Sequence, residues 1–525
     1  MTEGKSSAEA WVPGHNPWLI ATAVMLATFM EVLDTSVANV SLPHIAGNLS
    51  ATTDESTWVL TSYLVANAIV LPATNWLGSL FGRKRFLILC ITFFTLASAL
   101  CGAAPSLAFL VFARILQGAA GGALQPISQA VLMESFPPEK RGRATAVFAM
   151  GVVVAPVIGP TLGGWITDNF SWRWIFYINL PVGVLAIMMA QAFIEDPPYL
   201  VRTTFKSFDG IGFGLMSIWL GSLQYILDKG QIEDWFESRI IVTLAALSVA
   251  SFVSFVIWEL RAEKPIVDLR ILKNRNFAVG VGLITLLGAI LYATTAVMPL
   301  LMQTLLGYTA FQAGLALSPR GVGAFLTTIL VGRLIGKVNN RVLVTLGFLL
   351  LAYSSSMLGH VDLEIAKRDI IIPSIVNGIA ISFIFVPLTT SAMGTLRREQ
   401  IGNASGIYNL VRNLGGSIGI AGITTLLSRK AQANQAHMVA HFTPTDQPFT
   451  QRVEAFRAAF FHAHGDPVLA TKQAHGALAA ILEQQANALA YVQNFRLFAV
   501  VCVCCIPLIM MMKKVAPPKA PVNAH

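Results

Sequence analysis

Residues 151–165 read GVVVAPVIGPTLGGW and lie in an apolar segment long enough to cross a membrane. Small residues recur every four positions, at Gly151, Ala155, Gly159 and Gly163. Pro156 and Pro160 lack a backbone N–H and bend a helix. Because small side chains let a second helix approach closely, the segment predicts a bent membrane helix with a groove. We expect the groove to seal or slide between two helix bundles, with simple tight packing as the alternative.

The composition extends this interpretation to the whole chain. Its 525 residues are 55% hydrophobic and 12% charged, with a mean hydropathy of +0.64. Soluble domains carry about 25% charged residues, so we predict an all-α, polytopic membrane protein. The N-terminus lacks the features of a cleavable signal, and the first span is expected to be retained. The cysteines lie in apolar runs and imply no disulfide framework.

Cutting the chain at its polar breaks, with roughly 20 apolar residues per crossing, predicts fourteen spans. They are 17–41, 57–78, 86–104, 107–133, 144–167, 174–194, 210–227, 239–260, 277–300, 312–332, 342–358, 370–393, 403–428 and 491–512. Lys and Arg concentrate in every second loop, which predicts cytoplasmic N- and C-termini. The net charge of +9 therefore reports topology, and no nucleic-acid partner is expected.

The first span carries two acids in the stretch FMEVLDTSVANVSLP, residues 29–43. Glu31 and Asp34 are three residues apart and share one helix face. A carboxylate at membrane depth costs several kcal/mol unless it is paired, hydrated or protonated, which makes it a natural proton carrier. We predict proton coupling through both, with Asp34 the stronger candidate. The alternatives are a structural pair between helices or a position near the outer mouth.

The fourth span supplies a matching cation in RILQGAAGGALQP. Arg114 does not deprotonate and needs a permanent partner, for which the acids of the first span are the candidates. Three glutamines follow near one side of the helix, at Gln117, Gln125 and Gln129. Gly118 and Gly122 form a GxxxG pattern, which favours helix packing.

A basic, Gly-rich turn follows the second span in NWLGSLFGRKRFL and is echoed in GRLIGKVNNRVL after the tenth. The echo indicates two similar bundles of six helices with two inserted helices between them. We therefore divide the chain into a first bundle (1–194), an inserted pair with linkers (195–276) and a second bundle (277–525). The last contains a long outer loop, 429–490.

These segments resemble the major facilitator superfamily, in particular its fourteen-span drug:proton antiporters of the EmrB/QacA type, over nearly the whole chain. LDTSVANVSLP is similar to the first-span motif and contains Asp34 and Asn39, and RILQGAAGG resembles the fourth-span R-x-x-Q-G signature. The span-five segment is similar to the antiporter motif in its second half, at Gly159, Pro160, Gly163 and Gly164. In the basic turn, Ser79 replaces the family's aspartate, whereas three residues of the motif remain: Gly82, Arg83 and Lys84.

The resemblance implies proton-coupled efflux of hydrophobic or amphipathic drugs across the inner membrane by alternating access. It also implies a periplasmic membrane-fusion adaptor, facing the long outer loop, and an outer-membrane channel. Alternatives are a dedicated exporter of a metabolite or siderophore, a nutrient symporter, and a receptor or channel. The sequence has no H-E-x-x-H, nucleophile elbow or Walker-type motif. We therefore expect no enzyme, metal or cofactor.

Candidate substrate-binding residues are the polar and aromatic side chains that interrupt the apolar spans. They are Asn39, Asn67, Gln117, Gln125, Asn377, Phe383 and Arg412. Arg412, in NLVRNLGGSIG, is a second cation inside the membrane, and Arg320 is either a third or lies near a span boundary.

Overall fold

Helices make up the architecture in this computed structural model. It describes residues 13–51, 53–56, 58–137, 140–196, 208–231, 233–263, 265–397, 400–440, 442 and 447–513. The predicted terminal segments 1–12 and 514–525 and the linker 197–207 lie outside the described residues. Fourteen described helices or helix pairs are long and apolar enough to cross a membrane, which confirms the predicted number of spans.

The first eleven helices cover the predicted first bundle and the inserted pair. They are α1 (Pro17–Asn48), α2 (Thr53–Ser56), α3 (Trp58–Phe81), α4 (Arg83–Gly102), α5 (Leu107–Gly121), α6 (Leu124–Ser135), α7 (Arg141–Asn169), α8 (Trp174–Tyr177), α9 (Asn179–Phe193), α10 (Gly210–Lys229) and α11 (Arg239–Arg261). The fourth span is built from α5 and α6, and the sixth from α8 and α9.

The remaining helices cover the predicted second bundle. They are α12 (Arg275–Thr304), α13 (Ala310–Leu317), α14 (Pro319–Leu334), α15 (Asn340–Leu358), α16 (Arg368–Met393), α17 (Ile401–Val439), α18 (Gln447–His464), α19 (Pro467–Cys504) and α20 (Ile506–Met510). We call the end at which α1 begins and α20 ends the termini side, and the other end the opposite side.

The most extensive helix contacts lie within each half of the chain. In the first half, α1 packs on α7 and α9, and α5 packs on α3 and α4. In the second half, α12 packs on α17, and α16 packs on α14 and α15. Across the two halves, α7 packs on α13 and α14, while α17 packs on α3 and α6. The inserted helices α10 and α11 pack on each other, and α10 also contacts α3.

The small-residue stripe of α7 faces α1 in the first bundle rather than the second bundle. A Cβ atom added at Gly163 would lie 2.9 Å from Val37 Cγ1, and one at Gly159 would collide with Ser36. These close contacts favour the alternative interpretation of the stripe, in which the small residues serve tight packing between helices. The prolines of α7 instead face helices of the second bundle, because Pro156 and Pro160 line a cavity with residues of α12 and α14.

The bend in α7 leaves a backbone group that α1 satisfies. Pro160 has no N–H to donate to the carbonyl of Pro156 one turn earlier. Ser36 Oγ of α1 donates to that carbonyl at 3.1 Å. In a membrane, where water is not at hand, such a carbonyl needs a partner within the protein. The stripe brings α1 close enough for Ser36 to supply it.

The prediction of a loop over residues 429–490 is wrong, because most of the described part of this segment is helical. Helix α17 continues to Val439, α18 follows, and α19 already begins at Pro467. Asp466 caps α19 by accepting from the N–H groups of Val468 and Leu469, and Pro467 suits its first turn. Sparse apolar residues predict the end of a span, but α17 and α19 continue as helices beyond their apolar segments. The run in this region that was predicted to be helix-prone is helical. His441 and residues 443–446 lie outside the described residues.

Candidate transport site

Asp34 is buried at the centre of the first bundle and has a complete set of partners. Its Oδ2 lies 2.6 Å from Arg114 Nη1, and the two side chains are 1% and 0% exposed. Its Oδ1 accepts from Gln117 Nε2 at 2.9 Å and from Asn179 Nδ2 at 2.7 Å. A cation and two amide donors thus replace the hydration of the carboxylate.

Arg114 is held by three helices. Its Nε donates to the carbonyl of Val59 in α3 at 2.9 Å, and its Nη1 also donates to Gln117 Oε1 at 2.6 Å. The guanidinium lies over the ring of Tyr63, 4.1 Å from the centroid. Gly118, one turn further along α5, would collide with the Tyr63 backbone if it carried a Cβ. The GxxxG pattern therefore places α3 against α5, and this contact positions the cation.

A second layer of polar groups orients these ligands. Ser98 Oγ of α4 accepts from Gln117 Nε2 at 3.1 Å and from Asn179 Nδ2 at 2.9 Å. It donates to the carbonyl of Phe176 at 3.1 Å. Ser98 and Asn179 were not among the candidates predicted from the sequence. The available signal for Asn179 was an amide inside the apolar segment 174–194.

Glu31 is also buried but has a different environment. Gln125 Nε2 donates to its Oε2 at 2.6 Å, and Tyr63 Oη and Asn67 Nδ2 donate to its Oε1 at 3.3 and 3.4 Å. No Lys, Arg or His nitrogen from the described part of the chain lies within 4.0 Å of this carboxylate. Glu31 thus rests on neutral donors, whereas Asp34 faces a cation.

Gln125 connects Glu31 to the second bundle. While its amide nitrogen donates to Glu31, its Oε1 accepts from Arg412 Nη2 of α17. Arg412 also lies 5.9 Å from the ring centroid of Phe385. A single amide therefore separates an acid of the first bundle from a cation of the second.

The next glutamine makes a purely neutral contact across the same interface. Gln129 Oε1 accepts from Ser405 Oγ at 2.8 Å and from Asn409 Nδ2 at 3.0 Å. The two glutamines thus tie α6 to the part of α17 nearest the termini side.

The other predicted binding residues are placed less centrally. Asn377 and Phe383 of α16 are buried, and Asn377 Oδ1 has no hydrogen-bond partner among the described residues. Within the same part of the chain, no hydrogen bond joins either residue to the network around Glu31 and Asp34. Asn39 is exposed and lies on a different face of α1 from Asp34.

Comparison with known proteins identifies the family. The sequence pattern of the Major Facilitator Superfamily matches residues 24–420. The chain belongs to the major facilitator superfamily. It is therefore a multi-pass membrane transporter and not an enzyme.

Several curated relatives of this major facilitator protein are similar over most of their length. Multidrug export protein EmrB of Haemophilus influenzae is 38% identical over 83% of this chain and 86% of that protein. Fatty acid resistance protein FarB of Neisseria gonorrhoeae is 40% identical over 84% and 85%. The probable multidrug resistance protein EmrY of Escherichia coli is 38% identical over 86% and 88%. These identities support the predicted EmrB-like branch.

Among solved structures, the human organic anion transporter MFSD10 matches with a TM-score of 0.60. The two sequences are 13% identical, and the match covers 94% of this chain and 99% of MFSD10. At this identity the likeness confirms the major facilitator fold alone.

In this major facilitator protein, two acids from outside the predicted turn contact it. Arg83 forms an ion pair with Glu134 of α6. The backbone N–H of Lys84 donates to Asp196 Oδ1 at 2.8 Å, and Asp196 also packs against Gly82, whose φ is +87°. Such a φ favours glycine. Ser79, which replaces the family's aspartate, donates to the carbonyl of Asn75 at 2.9 Å.

The two bundles of this transporter contact each other closely on the termini side. Cβ atoms added at Gly142 and Gly332 would lie 2.9 Å from Ile335 and 3.0 Å from Ala146, and one at Gly402 would collide with Asn75. The glutamine contacts with α17 lie on the same side. On the opposite side, α7 and α13 remain in contact near Gly314 and Thr161.

Proposed function

We propose that this transporter exports amphipathic compounds in exchange for protons by alternating access. The observation that carries the proposal is the pair of buried carboxylates, of which Asp34 faces a permanent cation and Glu31 is linked to the second bundle. The relatives named for multidrug export and fatty acid resistance support hydrophobic or amphipathic substrates. The proposed membrane is the inner membrane, with both termini in the cytoplasm, in line with the distribution of Lys and Arg.

Glu31 is the better first proton acceptor in this conformation. Protonation of Asp34 would remove the charge that directly contacts Arg114, whereas Arg412 contacts Gln125 and not Glu31 itself. The contacts therefore favour Glu31 over Asp34, the reverse of the order expected from the sequence. A proton that enters across the membrane supplies about 2.3 kcal/mol per 100 mV.

The coupling step runs through Gln125. While Glu31 is ionised, its charge orients the Gln125 amide so that the amide oxygen faces Arg412. A neutral Glu31 holds this orientation more weakly, because hydrogen bonds to ionised groups are about twice as strong as neutral ones. Protonation from the opposite side therefore loosens the termini-side contact and favours the change of access. A cationic substrate that occupies the cavity competes with the proton for the same carboxylates.

The protruding helices support a partner on the opposite side. With 39 residues, α17 is about 58 Å long at 1.5 Å per residue, against about 30 Å for the membrane core. Helix α19 has 38 residues and pairs with it, as Lys430 Nζ donates to Asn494 at 3.1 Å and Asn434 Nδ2 to the carbonyl of Ala486 at 3.2 Å. We propose that this rigid pair and α18 bind a periplasmic adaptor that leads to an outer-membrane channel.

The proposed exchange is tested in proteoliposomes that contain the purified full chain and a pH-sensitive dye. A fluorescent amphipathic cation should move against a counterflow of protons, and Glu31→Gln should abolish the counterflow. Glu364→Gln is the control, because Glu364 is exposed in the turn between α15 and α16. Substrate movement without proton flux would refute proton exchange, and flow of both in one direction would indicate a symporter.

Adaptor dependence is tested separately by deleting α18. Transport in liposomes should survive the deletion, while drug tolerance of cells that express the transporter should be lost. Unchanged tolerance would contradict the role of this segment in a tripartite pump.

A further inference from the structure

Arg320 is a buried cation at the interface of the two bundles, in the first turn of α14. The residue is 8% exposed. Its side chain lines a small cavity of about 20 Å³. The other lining residues come from α7, α12 and α13, and they are Pro156, Pro160, Thr294, Thr295, Met298 and Leu317.

The guanidinium of Arg320 lacks the carboxylate partner that Arg83 and Arg114 each have. Its Nη1 donates to Thr295 Oγ1 at 3.2 Å, and its buried Nη2 has no hydrogen-bond partner among the described residues. Among the described residues, no carboxylate oxygen lies within 4.0 Å of it, whereas Arg83 and Arg114 both form ion pairs. Since arginine keeps its charge, an uncompensated guanidinium at this depth is costly and points to function.

The remaining cavity wall supplies no side-chain donor of its own. Thr294 Oγ1 and Thr295 Oγ1 donate their hydrogens to the carbonyls of Ile290 and Leu291, at 2.6 and 2.7 Å. Both hydroxyls can then only accept, so Arg320 is the donor that faces the cavity. The prolines and the apolar side chains around it suit a hydrocarbon chain. The cavity thus combines one positive head site with an apolar wall.

The size of the cavity shows that it is closed in this conformation. A single water needs roughly 10–15 Å³, and small-molecule sites are on the order of 300–1,000 Å³. The wall is contributed by both bundles, with the prolines on α7 and the threonines on α12. Separation of the bundles during alternating access would therefore enlarge the space in front of Nη2.

We propose that Arg320 is the anion-recognition residue of the transport path and binds the carboxylate of amphipathic acids. The hydrocarbon part then lies against the prolines of α7 and against Met298 and Leu317. The inference deepens the proposed function, on which it rests for the direction of transport, but the site itself requires only binding.

The test is binding of a fluorescent fatty acid to the full chain in nanodiscs of zwitterionic lipid, measured by anisotropy. The methyl ester of the same probe serves as the uncharged ligand. Arg320→Gln should weaken binding of the acid about tenfold or more and leave that of the ester within about twofold. The affinity of Arg320→Lys for the acid should lie between those of the wild type and Arg320→Gln, because the compact ammonium charge of lysine replaces the forked donors of the guanidinium. Arg333→Gln, an exposed change on the same helix, should alter neither affinity.

Equal losses for acid and ester would show a structural role only, and unchanged binding of the acid would refute the site. If Arg320→Gln does not fold, Arg320→Lys decides by the same ratio of acid to ester affinity. Displacement of the acid by anionic phosphatidylglycerol would assign the cation to a lipid phosphate and overturn the carboxylate assignment. Proton-coupled export of a cationic dye by Arg320→Gln tests the proposed function separately, so the two proposals fail independently.

Discussion

Arg114 and Asp34 form a fully buried ion pair, with 2.6 Å between Nη1 and Oδ2. The cation comes from α5 and the acid from α1, so the pair joins two helices of the first bundle. Removing one partner of a buried pair leaves an uncompensated charge and costs about 3–5 kcal/mol, whereas removing both costs much less. The pair is therefore a point at which charge and stability are linked.

Arg114→Ala should lower the unfolding temperature more than the double variant Arg114→Ala/Asp34→Asn. The reason is that Asp34→Asn removes the charge that Arg114→Ala exposes. Thermal unfolding in detergent, followed by tryptophan fluorescence, measures the difference. A double variant that loses as much as the two single variants combined would show that the pair is not coupled.

Affinity for a cationic drug should fall as the pH is lowered, because protonation removes the negative charge that attracts the drug. Glu31→Gln should bind the drug more weakly at neutral pH and show a much flatter pH profile. Titrations of the purified protein with a fluorescent cation measure this. If Asp34→Asn flattens the profile and Glu31→Gln does not, Asp34 is the first proton acceptor and the proposed order is wrong.

Gln125→Ala should make the closure of the termini side independent of the protonation of Glu31. In the wild type, acidic pH should increase the distance between spin labels at Phe81, the last residue of α3, and at Lys337, in the turn after α14. Gln125→Ala should increase this distance at every pH, because Glu31 loses its link to Arg412. Gln129→Ala is the matched control; it removes a neutral contact between the same helices and should leave the pH response in place. An unchanged response in Gln125→Ala would exclude the proposed link.

Ser36→Ala should destabilise the protein by about 1 kcal/mol, because the carbonyl of Pro156 loses its donor. In the background Pro160→Ala, residue 160 regains an N–H that can bond to this carbonyl. The same serine change should then have almost no effect on the unfolding temperature. An equal loss in both backgrounds would mean that Ser36 acts through packing rather than through this hydrogen bond.

Much of the architecture was predictable because the membrane imposes it. The fourteen apolar segments follow from the length needed to cross the bilayer, and the structure confirms their number. The site was partly predictable for the same reason. Glu31, Asp34 and Arg114 stand out because charges inside apolar segments are costly, and opposite charges are expected to meet.

Other features depend on neighbours that are remote in sequence. Asn179 lies 145 residues from Asp34 and Ser98 lies 81 residues from Asn179. An amide inside an apolar segment sets Asn179 apart, but nothing local shows which residue it contacts. Glu134 and Asp196 pair with a turn whose own aspartate is missing. The small residues of α7 predicted a close approach, but their partner, α1, could not be read from their spacing.

The sequence by itself determined the membrane class, the number of spans and the charged residues that need partners, because each follows from the cost of placing residues in a hydrocarbon layer. Only the tertiary structure decided which partner each one has. It pairs Asp34 with Arg114, leaves Glu31 among neutral donors linked to Arg412, and places no acid from the described residues within 4.0 Å of Arg320. These differences arise from helix packing, because the distance and direction between side chains on different helices set the balance between desolvation and attraction.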